Sequence, residues 1–271
     1  MFRVSDRANT VNVWRWTQNK GLVEGPDVLA EEVPVALVVN GISQAVMMAT
    51  PQDLRDFAHG FCWTEGIITQ WEHLYSIEER RVPEGIELDI HIHAADADHL
   101  QRKRRFLQGR TGCGLCGKES LDSVVGDLPV VARQLEVGHK QIQVMLTLLA
   151  QHQTLNTESG GLHAAALMST EGALVCLRED VGRHNALDKV IGAASPSQCS
   201  EAVLVMTSRV SYELVEKAAK AGIEVIVAIS AVTQLARSRA EQSGITLIGF
   251  ARSGRHTIYT HPDRVKDVLD L

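Results

Sequence analysis

Hydrophobic and polar positions recur along the chain with enough regularity to predict most of its elements. Val33–Val39 and Ala45–Met48 read as two strands joined by a turn at Asn40-Gly41, the dipeptide that accepts the positive φ angles of a tight hairpin. Thr50-Pro51-Gln52-Asp53 then signals a helix start, with Thr50 as the cap, Pro51 in the first helical position and an early acid. Leu54, Phe57, Ala58, Phe61 and Cys62 recur at i, i+3, i+4, i+7 and i+8, which predicts one buried stripe closed by Gly66. From Ile86 to His93 the isoleucines and Leu88 take one face of a strand, while Glu87, Asp89, His91 and His93 take the other.

The second half changes rhythm. Lys140–Gln151 predicts a helix, and Ala164–Met168 with Ala173–Leu177 predicts a hairpin across Ser169-Thr170-Glu171-Gly172. Asn185–Ala193 predicts another helix. Strand and helix then alternate: Ala202–Thr207, Tyr212–Ala221, Glu224–Ile229, Val232–Ser243 and Ile245–Phe250, with Gly222 and Gly244 as helix stops. A last strand, Thr257–Thr260, and a closing helix, Pro262–Leu269, complete the reading. Near-continuous apolar strands between helices predict an α/β sheet covered on both faces. The organisation expected is a β-rich part with one helix over 1–100, a mobile basic loop over 101–139 and an α/β body over 140–271.

Composition narrows the class. With 271 residues, 45% hydrophobic and 22% charged, the chain suits one large or two modest globular domains. Its net charge of −6 argues against a nucleic-acid binder, because positive charge is local, at residues 102–110. No apolar run approaches the roughly 18–20 residues of a spanning helix, and Met1-Phe2-Arg3-Val4-Ser5-Asp6 lacks the apolar core of a secretion signal. The five cysteines include a single close pair, which fits working thiols in a cytoplasmic, reducing compartment better than a disulfide framework.

That pair, Cys113-Gly114-Leu115-Cys116, sits among Arg102, Lys103, Arg104, Arg105, Arg110 and Lys118, with Gly109, Gly112, Gly114 and Gly117 interspersed. Nearby cations favour the reactive thiolate, and the glycines free the backbone. Structural zinc would need two further ligands at matching spacing, and the chain offers no second Cys-x-x-Cys and no following His-x₃₋₅-His. A solvated strand face explains His91 and His93, so no metal is expected. A thioredoxin-type pair expects a strand before it and a helix after it, whereas charge and glycine precede this one. A persulfide carrier remains, together with a redox or structural dithiol.

Three further stretches carry candidate chemistry. Gly160 and Gly161 precede His163, where the following alanines lack the glutamate of a zinc deaminase. Glu179-Asp180-Val181-Gly182-Arg183-His184-Asn185 enters a helix, and such an N-terminus suits an anion. Phe250-Ala251-Arg252-Ser253-Gly254-Arg255 lies past a strand end, where α/β sheets bind ligands, and its two arginines suit a phosphate or diphosphate.

In order, these segments resemble the FdhD family of formate dehydrogenase accessory sulfurtransferases. The resemblance covers most of the chain, from Glu32–Gly41 and Met48–Leu54 through Ala58–Phe61, Thr64–Ile68, Cys113–Gly117, Gly160–Ala165, Glu179–Lys189, Ser211–Val215 and Leu247–Arg252. It implies a three-layer α/β/α body with a mixed sheet similar to cytidine deaminases, a smaller β-rich N-terminal part, and a homodimer. It also implies sulfur accepted from a cysteine desulfurase as a persulfide on Cys113, with Cys116 as the partner thiol. The sulfur would pass to the molybdenum bis-molybdopterin guanine dinucleotide cofactor, of which GDP is a mimic, for the formate dehydrogenase apoenzyme. Phe250, Ala251, Arg252, Ser253, Gly254 and Arg255 map onto the family's cofactor-binding stretch, and Gly160, Gly161, His163, Arg183, His184 and Asn185 are the further candidates for that ligand. The alternative is a cofactor-binding chaperone whose dithiol is redox-active or structural. Thr207-Ser208-Arg209, Ala231-Val232-Thr233 and Asn156-Thr157-Glu158-Ser159 depart from the family's more usual Ser-Gly-Arg, Ala-Pro-Thr and Phe-Thr-x-Thr.

Overall fold

The computed structural model describes residues 9–100 and 127–267. The first element is a two-stranded antiparallel ribbon, β1 (Thr10–Thr17) and β2 (Gly21–Val28). A four-stranded sheet follows, made of β3 (Val33–Val39), β4 (Ile42–Ala49), β5 (Leu74–Val82) and β6 (Gly85–Ile92) in the order β4-β3-β6-β5. The hairpin at Asn40-Gly41 is present, with φ of 45° and 76°. Alternation places Val35, Leu37, Leu88 and Ile90 inward, fully buried, under α1 (Leu54–Thr64).

Two local expectations at α1 give way to tertiary contacts. Thr50 does not cap the helix, which begins at Leu54 after Asp53 with φ of 54°. The Thr50 hydroxyl instead accepts from Val181 N at 3.2 Å, and its own N–H donates to Asp180 Oδ2 at 3.0 Å. Phe61 is half-buried rather than in the stripe's core, because its ring faces the Lys217 ammonium at 5.6 Å.

The rest of the described chain builds a three-layer α/β/α body, in chain order β7 (Val137–Gly138), α2 (His139–His152), α3 (Thr154–Ser159), β8 (His163–Met168), β9 (Leu174–Asp180), α4 (Arg183–Gly192) and α5 (Pro196–Ser200). It continues with β10 (Val203–Met206), α6 (Tyr212–Lys220), β11 (Val225–Ala228), α7 (Gln234–Ser243), β12 (Thr246–Arg252), β13 (Arg255–Ile258) and β14 (Val265–Lys266). The central mixed sheet runs β13-β12-β11-β10-β8-β9, with β10, β11 and β12 parallel. On one face, Ile142, Met145 and Leu149 of α2 meet Val203, Val205 and Val225. On the other, α4, α6 and α7 pack Leu187, Leu214 and Ala236 against Leu204, Ile226 and Leu247.

Two corrections concern the C-terminal end. The last strand of the sheet is Arg255–Ile258, two residues earlier than the expected Thr257–Thr260, because Arg255 already pairs with Arg252. In place of a helix from Pro262, a single 3₁₀ turn (Pro262–Arg264) leads into β14, which pairs in parallel with β7. Arg264 is buried there, its guanidinium donating to the carbonyls of Glu224 and Gly244, so this segment is tied to the sheet rather than free to coil.

The two sheets are joined where α1 crosses α4. A Cβ on Gly60 would stand 1.8 Å from the Asp188 carbonyl oxygen, and one on Gly192 the same distance from that of Asp56. These glycines are there for close approach of two backbones. Gly60→Ala is therefore expected to separate the helices and cost roughly 1–3 kcal/mol or more, read as a lower midpoint in urea unfolding, whereas Gly41→Ala, at an open turn, leaves α1 against α4 undisturbed.

Candidate functional site

The chemistry-bearing stretches of the body converge on one edge of the central sheet. β10, β11 and β12 end there, β9 ends there at Asp180, and β8 starts there, since His163 pairs with Asp180 and Ala165 with Met206. Short hydrogen bonds stitch the loops along this edge. Ala164 N donates to Thr207 Oγ1 at 2.9 Å, Val210 N to the Ala231 carbonyl at 3.0 Å, and Phe250 N to the Ser230 carbonyl at 2.9 Å. Such an edge, with helices starting just beyond it, is where open α/β sheets bind ligands.

His163 stands half-buried at the start of β8. Burial and then the Arg183 guanidinium hold its imidazole below the usual histidine pKa, against Asp180, which leaves it neutral near pH 7. Gly160 ends α3 in the left-handed region with φ of 67°, and Leu162 N donates to Asn156 Oδ1 at 2.9 Å, fixing the glycine turn. Asn156 and Leu155 are held in turn by the Glu179 carboxylate, which accepts both backbone N–H groups at 2.8 and 2.9 Å.

The residues of the polar stretch Glu179–Asn185 divide between tasks. Asp180, fully buried, accepts from Gly182 N and from Asn185 Nδ2, and its other oxygen is 2.7 Å from Lys189 Nζ. Asn185 is 2% exposed, and its amide donates to both Asp180 Oδ1 and the Met48 carbonyl, so both of its donors are engaged inside the protein. Arg183 is half-buried beside His163, with no carboxylate partner among the described residues. His184 faces α6, where its Nε2 lies 3.0 Å from Glu213 Oε2, and burial, with Arg183 adding to it, again lowers its pKa. It lines a cavity of about 250 Å³ between α1, α4 and α6 with Phe61, Glu65, Asp188 and Lys217.

Phe250–Arg255 occupies the end of β12 and the turn into β13. Phe250 is in the left-handed region with φ of 48° and is 43% exposed, a strained position of the kind held at ligand sites. Ala251 is buried, while Arg252 and Arg255 pair across the turn and are both exposed. Two like charges directly opposite destabilise a hairpin unless an anion sits between them, and neither arginine has a carboxylate partner among the described residues. The turn is tied to α2 by Gly254 N donating to Gln143 Oε1 at 2.8 Å and by a 2.8 Å contact between His256 Nε2 and His139 Nδ1. β11 and β10 separate β12 from β8, so the strands that carry His163 and Arg252 are three strand spacings apart, roughly 14 Å of sheet width, the span of an extended ligand rather than a single phosphate.

Cys113, Cys116 and the basic run lie outside the described residues. Cys62 and Cys199 are buried, and burial pushes both thiols up to about 12, which makes them inert packing groups. Cys176 is partly buried and its pKa is also raised. Thr207, a departure from the family's usual Ser-Gly-Arg, lies at this sheet edge, and so do Ser211 and Ser230, which are not among the site candidates read from the sequence. Ser211 Oγ, at the start of α6, is buried with no hydrogen-bond partner, and its position just past a short apolar strand was the signal available for it.

The chain matches the model of the FdhD/NarQ family over residues 30–266. It is 47% identical over 266 residues to the sulfur carrier protein FdhD of Cupriavidus necator, across 97% of this chain and 92% of that protein. It is 46% identical over 241 residues to the protein of the same name from Variovorax paradoxus, across 88% and 87%. The crystal structure of a proposed formate dehydrogenase accessory protein from Desulfotalea psychrophila superposes with a TM-score of 0.75 at 24% identity, covering 95% of this chain and 98% of that one, a likeness of fold.

Proposed function

The chain belongs to the FdhD/NarQ family, and from that premise we propose that it is a homodimeric sulfur carrier for the maturation of formate dehydrogenase. The Cys113 thiolate attacks the outer sulfur of a persulfide held by a cysteine desulfurase. One S–S bond breaks as another forms, the donor leaves as a thiolate, and Cys113 becomes the persulfide. The substrate that receives this sulfur is molybdenum bis-molybdopterin guanine dinucleotide. Discharge as sulfide needs two electrons, and the second thiol supplies them. The Cys116 thiolate attacks the inner sulfur of the Cys113 persulfide, HS⁻ leaves toward the metal, and a Cys113–Cys116 disulfide remains for a cellular dithiol to reduce.

The observation that carries this reading is the Cys113–Cys116 pair in a chain 46–47% identical to named sulfur carriers. The sheet edge supports it as the place where the guanine dinucleotide rests, with Arg252 and Arg255 toward a diphosphate and His163 and Arg183 toward the other end of the ligand. A reducing cytoplasm is the compartment in which such thiols persist. The direct test is intact mass after incubation with a cysteine desulfurase and cysteine. The expected gain is the mass of one sulfur atom in Cys116→Ala, where no second thiol discharges the persulfide, and none in Cys113→Ala; no gain in Cys116→Ala, or a gain in Cys113→Ala, removes the proposal.

A charge-assisted contact to a phosphate is worth roughly 1.5–3 kcal/mol, so Arg252→Ala and Arg255→Ala are each expected to weaken GDP binding about tenfold or more. Titration calorimetry reads this. Unchanged affinity in both variants would remove the turn from the site.

A further inference from the structure

We infer that the β1–β2 ribbon is a dimerisation arm, which seats its tryptophan face on the outer face of the four-stranded sheet of a second copy. The inference rests on the homodimer reading above and adds its interface. An isolated two-stranded hairpin is marginal in water, yet in this one twelve of the sixteen strand residues are exposed, with both faces represented. Register puts Trp14 opposite Glu24 and Trp16 opposite Leu22, so both indoles and Leu22 share one face. They are 64%, 70% and 62% exposed, a concentration of apolar surface that marks an interaction site rather than a free surface.

The receiving surface is on the same chain. On the outer face of the four-stranded sheet, Pro34 pairs with Met48 and Ala36 with Val46. Val46 is 63% and Met48 47% exposed, and no described element covers them. β4 is also the edge strand of this sheet, and of its backbone carbonyls Met48 is taken by Asn185 and Ile42 by Gln44. Next to this apolar half, the same face carries Glu87, Asp89 and His91 of β6 and Glu78 and Arg80 of β5. Arg80 pairs with Glu87 and Asp89, and His91 contacts Asp89, which leaves the exposed Glu78 to suit Lys20 at the arm's tip. Two unpartnered apolar faces on one chain, each exposed in the single copy, form an isologous pair when arms are exchanged. Two arms and two receiving faces together remove roughly 1,800 Å² from water, within the range of a stable dimer.

Sedimentation equilibrium tests the arm with three proteins. The unmodified chain is expected to be dimeric, Trp14→Glu/Trp16→Glu and Val46→Glu/Met48→Glu each monomeric, and their equimolar mixture to associate more than either variant alone but more weakly than the unmodified chain, since one arm and one receiving face survive in the mixed pair. All four positions are exposed, so folding is not at stake. A photo-reactive phenylalanine analogue in place of Trp16 is expected to link two chains, at a peptide containing Val46 or Met48. Dimers persisting in both variants would overturn the arm while leaving the homodimer intact. A monomeric unmodified chain would remove both. A link within one chain, whether to the sheet or to residues 101–126, would also overturn the arm, because its occupant would then lie in cis.

Discussion

Cys113→Ala is expected to reduce formate dehydrogenase activity to background in cells that depend on this chain for maturation, with the enzyme polypeptide still present. The size of the effect follows from the chemistry. Among the described cysteines the chain has no second site to fall back on, because Cys62 and Cys199 are buried with thiols pushed up to about 12, and burial raises the pKa of Cys176 as well. Cys116→Ala should separate loading from discharge: sulfur accumulates on Cys113, and activity falls because no second thiol supplies the electrons that release sulfide. The same experiment weighs the chaperone reading. If the double variant Cys113→Ala/Cys116→Ala still matures the enzyme, the protein holds and protects the cofactor, and the dithiol is incidental. If maturation fails while GDP affinity is unchanged, binding and sulfur transfer are distinct tasks of one chain and the carrier reading stands.

The legible and illegible parts of the fold differ for physical reasons. β10 and β11 are short, wholly apolar runs between helices, and burial on both faces of the sheet is what such runs require. β3, β4 and β6 were legible from turn chemistry and alternation. β1 and β2 were not, because a ribbon exposed on both faces leaves no inside–outside contrast to alternate. β5 was missed because only one of its nine residues is buried, so its exposed charges read as a solvated stretch. Thr50 and the Pro262 segment failed differently. Each carries a sound local signal, for a helix cap and a helix start, and each is overridden by a partner far along the chain, Asp180 for one and β7 for the other. The site divides in the same way. A turn with two arginines after a strand can be read locally, whereas the pairing of His163 with Asp180, or the burial of Asn185, exists only once the sheet is assembled.

Lys189→Met is expected to be the most destabilising single change outside the hydrophobic core. The Lys189 ammonium and the Asp180 carboxylate meet at 2.7 Å with both side chains fully buried. Nζ also donates to the carbonyls of Thr50 at 2.9 Å and Glu179 at 3.4 Å. Burial by itself lowers the lysine's pKa, and Asp180 is the largest opposing influence, so each charge is tolerable because of the other. Removing one partner strands a carboxylate in a dry interior, at a cost of about 3–5 kcal/mol; thermal unfolding should shift down by about 2–4 °C for each of these. Lys189→Met/Asp180→Asn should recover part of that loss, since no net charge is left unpaired. A single-variant loss below about 1 kcal/mol would mean that the pair is already compensated by its surroundings. The pair also bears on function through position. Asp180 binds Thr50 of the strand-to-α1 link, Gly182 at the entry of α4 and Asn185 within it, and it is the strand partner of His163. GDP affinity should therefore fall in Lys189→Met even where the protein remains folded, and recover with the double variant. That recovery would identify Lys189 as a positioning residue for the sheet edge and not as a direct ligand of the anion, because a ligand's loss is not repaired by neutralising its neighbour.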